Sequence, residues 1–209
     1  MKIHPTAIVE EGVLIGDDTS VWDSVHLRGP AEIGRSCIIG EKTYIAYGVC
    51  VGDFVKINAQ VYVCTGVTIE SRVMIAAGVI FTNDRYPRAF ADEREGLASS
   101  EPGEETLETV VREGATIGAG AVIGPGLELG AYSMIGMGAV VVRDVPAHGL
   151  VFGNPARLQG YVCVCGRRLG DLSPDVDLRH VVSAATCTHC GRSFSAGDGP
   201  RPQLSHVPA

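Results

Sequence analysis

One six-residue phase runs through most of this chain and restricts its fold more than anything else in it. Stepping by six from Ile3 gives Val9, Ile15, Val21, Leu27, Ile33, Ile39, Ile45, Val51, Ile57, Val63, Ile69, Ile75 and Phe81. Every one is Ile, Leu, Val or Phe. The residue two before each anchor is small or β-branched almost throughout, as at Ala7, Thr19, Val25, Cys37, Val55 and Val73. The phase stops after Phe81 and resumes at Val111, Ile117, Ile123, Leu129, Ile135 and Val141. Side chains alternate across a strand, so an anchor and the residue two before it share one side. Inward pairs repeated every six residues describe short strands separated by turns, all facing one interior. Stacked in parallel coils, each strand finds hydrogen-bond partners above and below. The 27 glycines and the 20% charged residues fit such turns and exclude a helical bundle. The expectation is all-β: a parallel β-helix of about six to seven coils.

The interruption, TNDRYPRAFADEREGLASSEPGEETLETV, is polar and contains Pro and Gly, so it cannot continue a coil. A long excursion from a rigid stack is usually functional. Phe81-Thr82-Asn83-Asp84-Arg85-Tyr86-Pro87-Arg88-Ala89 gathers amide, acid, guanidinium and aromatic groups where the regular stack ends.

The hexads resemble the hexapeptide-repeat family, which folds as a left-handed parallel β-helix of three hexads per coil; the left hand is implied by the resemblance alone. The Phe81-Thr82-Asn83 and Pro87-Arg88-Ala89 segment further resembles bacterial acetyltransferases that acetylate the amino group of nucleotide-linked 3-amino sugars. The likeness runs from about Ile3 to Arg157 and includes Val25-His26, Glu108-Thr109-Val110 and the exit Gly153-Asn154-Pro155-Ala156-Arg157. The chain departs from the family pattern at Asp23-Ser24 and at Asn58.

The resemblance implies acetyl transfer from acetyl-CoA to an amine of a UDP- or dTDP-linked sugar, in a homotrimer with CoA held between adjacent prisms. An amine is already a competent nucleophile, so orientation and oxyanion stabilisation matter more than a strong base. Asn83 is the main catalytic candidate, by ordering the amine or the thioester. His26 is the rival: it precedes the anchor Leu27, faces outward, and has a side chain suited to proton transfer. Asn58, Gln60 and Tyr62 are candidates to line the same groove. Asp84, Arg85, Tyr86 and Arg88 are the substrate-binding candidates of the loop, the arginines for a pyrophosphate or else for the nearby acids Asp92, Glu93 and Glu95. Arg157 is the candidate for the CoA phosphates.

The last fifty residues are a different object. Cys163-Val164-Cys165-Gly166 and Cys187-Thr188-His189-Cys190-Gly191 hold four of the seven cysteines. Four thiolates fit a tetrahedral structural Zn2+, whose binding energy folds a segment too small for its own core. Cys163, Cys165, Cys187 and Cys190 are the metal-ligand set, and His189 is read as facing solvent. Such a module would cap the last coil or aid oligomerisation. The chain thus divides into coils over 1–81, an active-site loop over 82–110, coils over 111–146, an exit segment over 147–160, a zinc-ribbon-like module over 161–196 and a flexible tail over 197–209.

The net charge of −7 gives nucleic acid or an acidic membrane surface no electrostatic hold. No apolar run is long enough to span a bilayer, and seven cysteines, an odd number, read as reduced thiols in a cytoplasm. Two alternatives to N-acetylation remain: O-acetylation of a sugar hydroxyl with His26 as base, and a non-catalytic β-helical scaffold.

Overall fold

The computed structural model describes residues 1–90, 96–170, 185–196 and 204–207. Asp92, Glu93 and Glu95, and most of the 197–209 segment, lie outside the described residues. Three parallel sheets form the three sides of a prism. The first face begins with Lys2–Ile3, the second with Ile8–Val9 and the third with Val13–Ile15, and the chain then cycles through them in that order. Register partners lie one coil of eighteen residues apart, as in Tyr44↔Tyr62 and Lys56↔Met74. Across the excursion the separation is forty-two, as in Ile69↔Val111 and Phe81↔Ile123. The excursion therefore inserts twenty-four residues, a whole number of hexads, and this is why the anchors resume in phase.

The anchors meet inside the prism. Leu27, Ile39, Ile45, Ile57, Ile75, Ile117 and Ile123 are all fully buried in one continuous core. Each such aliphatic side chain contributes about 1.5–3 kcal/mol of transfer free energy. The residues two before them are buried too, and where one is polar its hydroxyl is used: Thr43 Oγ1 donates to the Asn58 carbonyl at 3.0 Å. The small residue after an anchor has a steric reason at Gly34, where an added Cβ would lie 2.5 Å from the Gly52 carbonyl one coil away. Glycine is not required at every corner. Asp18, Ser36, Lys42, Phe54 and Gln60 all hold positive φ between 55° and 58°.

The phase slips once. Val145 pairs with Leu129 and Val151 with Ile135, both sixteen residues apart, so two residues have been dropped. That slip lets Gly149–Gly153 add an eighth parallel rung to the first face, one beyond the count of hexads. Ala156–Tyr161 then folds back antiparallel on it. The exit segment is thus a β-hairpin that ends the stack. Beyond it, Ala185–Thr186, Ser193–Ala196 and Leu204–Val207 form a small antiparallel sheet, whose outer strand falls in the segment read as a flexible tail. Among the described residues there is no helix, and so none long and apolar enough to cross a membrane.

Candidate active site

On the second face the outward residue of each strand precedes its anchor, so parallel register stacks these residues one coil above another. His26, Tyr44 and Tyr62 stand in one such row. The His26 ring meets Tyr44 edge-on at 5.5 Å, and Tyr44 stacks on Tyr62 at 5.2 Å with 7° between the ring planes. Arg28, just past the anchor Leu27, donates from Nη1 to the Tyr44 hydroxyl at 3.2 Å and lies over the Tyr47 ring.

Glu10 ties the lower end of this row together. Its carboxylate accepts from Arg28 Nε at 2.7 Å and from His26 Nε2 at 2.8 Å. A carboxylate only accepts, so the proton sits on Nε2 and the lone pair of neutral His26 is on Nδ1. The Arg28 guanidinium and then the His26 ring hold the Glu10 carboxyl down at about 2.

The excursion leaves the second face after Phe81 and returns antiparallel to itself. Asp84 pairs with Thr106 and Phe90 with Leu97. Asp84 Oδ1 accepts from Thr106 Oγ1 at 3.0 Å, and the Leu107 amide donates to the Asn83 carbonyl at 2.7 Å. The Asn83 side chain is half-buried, with Nδ2 donating to the Thr65 carbonyl at 3.3 Å. Because that carbonyl can only accept, the amide orientation is fixed and Oδ1 remains as an acceptor.

Excursion and second face enclose a cleft of about 650 Å³ that holds Arg28, Tyr44, Tyr62, Asn83, Asp84 and Arg88 in its lining. A smaller cleft of about 330 Å³ lies within the excursion and adds Tyr86 beside Asn83 and Arg88. Of the residues singled out in the sequence, the structure therefore brings together Tyr62, Asn83, Asp84, Tyr86 and Arg88. His26 stands at the border, one ring below Tyr44. The others stand apart from both clefts. Asn58 and Gln60 form the corner between first and second faces, where Gln60 has φ 58° and donates its amide to the Glu41 carbonyl. Arg85 is exposed, with its amide on the Glu105 carbonyl. Arg157 is exposed on the terminal hairpin, its guanidinium on the Ala156 carbonyl.

Sequence reasoning missed Glu10, Arg28, Tyr44, Tyr47, Cys64 and Thr65. A signal for Tyr44 was present: it lies one coil, eighteen residues, from both His26 and Tyr62. Burial pushes the Cys64 thiol up to about 11, so it stays protonated at neutral pH and is a poor nucleophile.

The four tail cysteines do converge. Their sulfurs all lie within 4.8 Å of one another, with Cys163 to Cys190 at 3.5 Å and Cys165 to Cys187 at 3.7 Å. A zinc ion at about 2.3 Å from four sulfurs sets them roughly 3.8 Å apart, so the residues present fit a tetrathiolate metal site. His189 is exposed and outside this set. Cys37 is a buried core residue and Cys50 is exposed.

Comparison with known proteins gives the geometry a family. The model for the bacterial transferase hexapeptide (six repeats) matches residues 12–47 and 108–143, on either side of the excursion. A dTDP-3-amino-3,6-dideoxy-alpha-D-galactopyranose 3-N-acetyltransferase of Aneurinibacillus thermoaerophilus is 38% identical over 202 residues, covering 97% of this chain and 94% of that protein. Serine acetyltransferase 2 of Arabidopsis thaliana is 25% identical over 205 residues, covering 98% of this chain but 44% of its own. Among solved structures, the polySia-specific acetyltransferase NeuO shares the fold at 20% identity and a TM-score of 0.50, over 69% of this chain and 79% of that one. Matched along nearly its whole length by one such enzyme, with the repeat model aligned to both coil segments, the chain belongs to the hexapeptide-repeat family of bacterial acetyltransferases.

Proposed function

We propose that the protein transfers acetyl from acetyl-CoA to the C3 amino group of a dTDP-linked amino sugar. The observation that carries this reading is the 38% identity to a dTDP-3-amino-sugar N-acetyltransferase over 97% of the chain, excursion included. The prism alone does not specify an acceptor, since a serine acetyltransferase also aligns over 98% of the chain.

In this mechanism the sugar amine attacks the thioester carbonyl carbon directly. The nitrogen lone pair forms the C–N bond, the C–S bond breaks as the tetrahedral intermediate collapses, and the departing CoA thiolate takes the ammonium proton. Asn83 Oδ1 accepts from the amine N–H, since its Nδ2 is committed to Thr65. Such orientation replaces a strong base. The high thiol pKa of Cys64 disfavours a route through an acyl-cysteine. Arg88, whose Nη1 donates to the neighbouring Pro87 carbonyl at 2.9 Å, lines the cleft and would receive the pyrophosphate. In this reading Tyr62 and Asp84 in the larger cleft and Tyr86 in the smaller one meet the sugar, and Asn58, Gln60 and Arg85, outside both clefts, would reach only a more distant part of the substrate.

The same reading makes the protein a cytoplasmic homotrimer, with CoA between neighbouring prisms and Arg157 on its phosphates. Flat parallel faces suit side-by-side packing. It also assigns the four-cysteine site to a structural Zn2+; with all four positions taken by thiolates the ion would have no open position for substrate.

One observation favours a second reading. The Glu10 carboxylate fixes the tautomer of His26, the arrangement a general base for O-acetylation needs. Calorimetry with CoA and dTDP, together with thiol release from acetyl-CoA in the presence of dTDP-linked 3-amino sugars, tests the proposal. Binding of both with release only when an amine is present supports it. No binding of CoA would leave a scaffold.

A further inference from the structure

The two ends of the prism are finished differently. At the first coil the anchors Ile3 and Val9 are 39% and 37% exposed. At the other end Ile135, Val141 and Val151 are only 1%, 2% and 5% exposed. The terminal hairpin and the cysteine module cover that end, and Leu158 packs against both the coil core and the module core.

His148 joins them. Its amide donates to the Ala131 carbonyl of the coil below at 2.8 Å, and its ring stacks on Tyr132 at 5.5 Å. Its carbonyl accepts from the Val162 amide at 2.7 Å, and its Nδ1 donates to the Val162 carbonyl at 3.0 Å. Cys163 is the next residue. From the other side Phe194, fully buried, meets the His148 ring edge-on at 5.0 Å. Phe194 lies in the strand that follows the Cys187–Cys190 knuckle. Both cysteine pairs are thus anchored beside one buried histidine of the last coil. The four sulfurs then bring the two pairs together, Cys163 to Cys190 at 3.5 Å and Cys165 to Cys187 at 3.7 Å.

We propose that a zinc-class ion on Cys163, Cys165, Cys187 and Cys190 is a clamp that closes the open end of the β-helix, acting through His148 and Phe194. This rests on the reading of the four cysteines as a metal site, and is independent of the acetyl acceptor. Among the described residues the module's buried set is Tyr161, Leu169, Ala185 and Phe194 with two cysteines, and a core of that size is too small to fold unaided. Metal binding energy then becomes folding energy for the cap, and through His148 for the coil beneath it. An uncapped parallel sheet would present unpaired backbone groups at its edge.

The test uses the full-length protein, its metal content by elemental analysis, and hydrogen exchange before and after metal removal by a chelator with a thiol reductant. The expected result is about one zinc per chain. Removal should raise exchange about tenfold or more over 131–162 while leaving 38–64 unchanged. Phe194→Ala should keep its zinc and still raise exchange over 131–162, which separates the clamp from metal binding as such. If metal leaves and exchange over 131–162 does not change, the clamp is wrong while the metal site stands. If the protein holds no zinc and takes up neither Zn2+ nor Co2+ (the latter read by its thiolate charge-transfer absorbance), the metal reading fails and the clamp with it.

Discussion

Asn83, in the cleft lining, and His26, at its border, would serve different acceptors. Asn83 offers one oriented acceptor and no proton chemistry, whereas His26 offers a base held by Glu10. If the acceptor is an amine, Asn83→Ala loses about 10²-fold in kcat through misplacement, and His26→Ala stays within about tenfold of wild type. If the acceptor is a hydroxyl, His26→Ala loses about 10²–10⁴-fold instead. Steady-state kinetics of the two variants side by side reads the difference. Glu10 makes a separate prediction. Its carboxyl sits at about 2 rather than 4.5, so what its pairing with Arg28 and His26 contributes is fully present above about 4.5 and is lost as pH falls towards 2. The difference in melting temperature between wild type and Glu10→Gln should therefore hold at pH 6 and vanish by about pH 2, as thermal unfolding across that range would show.

At the scale of elements, the coil strands from Lys2 to Val141 are two or three residues long and depend on register more than on propensity. Corners are where single residues decide. Gly114 has φ +69°, and a Cβ there would lie 2.4 Å from the Tyr132 ring. Gly114→Ala should cost about 1–3 kcal/mol, seen as a lower denaturant midpoint with unchanged slope. The inward half of each strand was legible in the sequence because aliphatic anchors recur with a fixed period, as from Ile39 to Ile57 to Ile75. The outward half was only partly so. Outward residues carry no hydrophobic constraint, so Tyr44 and Arg28 looked like ordinary surface positions. Tyr62 was singled out as an anchor's neighbour and Asn83 by a family motif, and both line one cleft. Glu10 was invisible for another reason: its partners are sixteen and eighteen residues away, and only coil stacking brings them within 3 Å. The same holds for the rung at Gly149–Gly153, which lies two residues out of phase.

For the whole molecule, a rigid prism supplies the wall and a twenty-four-residue excursion supplies the groups that a regular coil cannot present. That the four cysteines would converge was readable from spacing alone. Their attachment to His148 was not, because it depends on how the terminal hairpin folds back. The central claim is that this wall and this excursion hold an amine, not a hydroxyl, against an acetyl thioester. The most direct measurement is the position of the acetyl group, by NMR, after incubation with acetyl-CoA and a panel of dTDP- and UDP-linked 3-amino, 4-amino and 3-hydroxy sugars. An amide at the C3 nitrogen of a dTDP-linked sugar, with the 3-hydroxy analogue untouched, is the predicted result. An ester on any sugar hydroxyl, or no product from the whole panel, would contradict it.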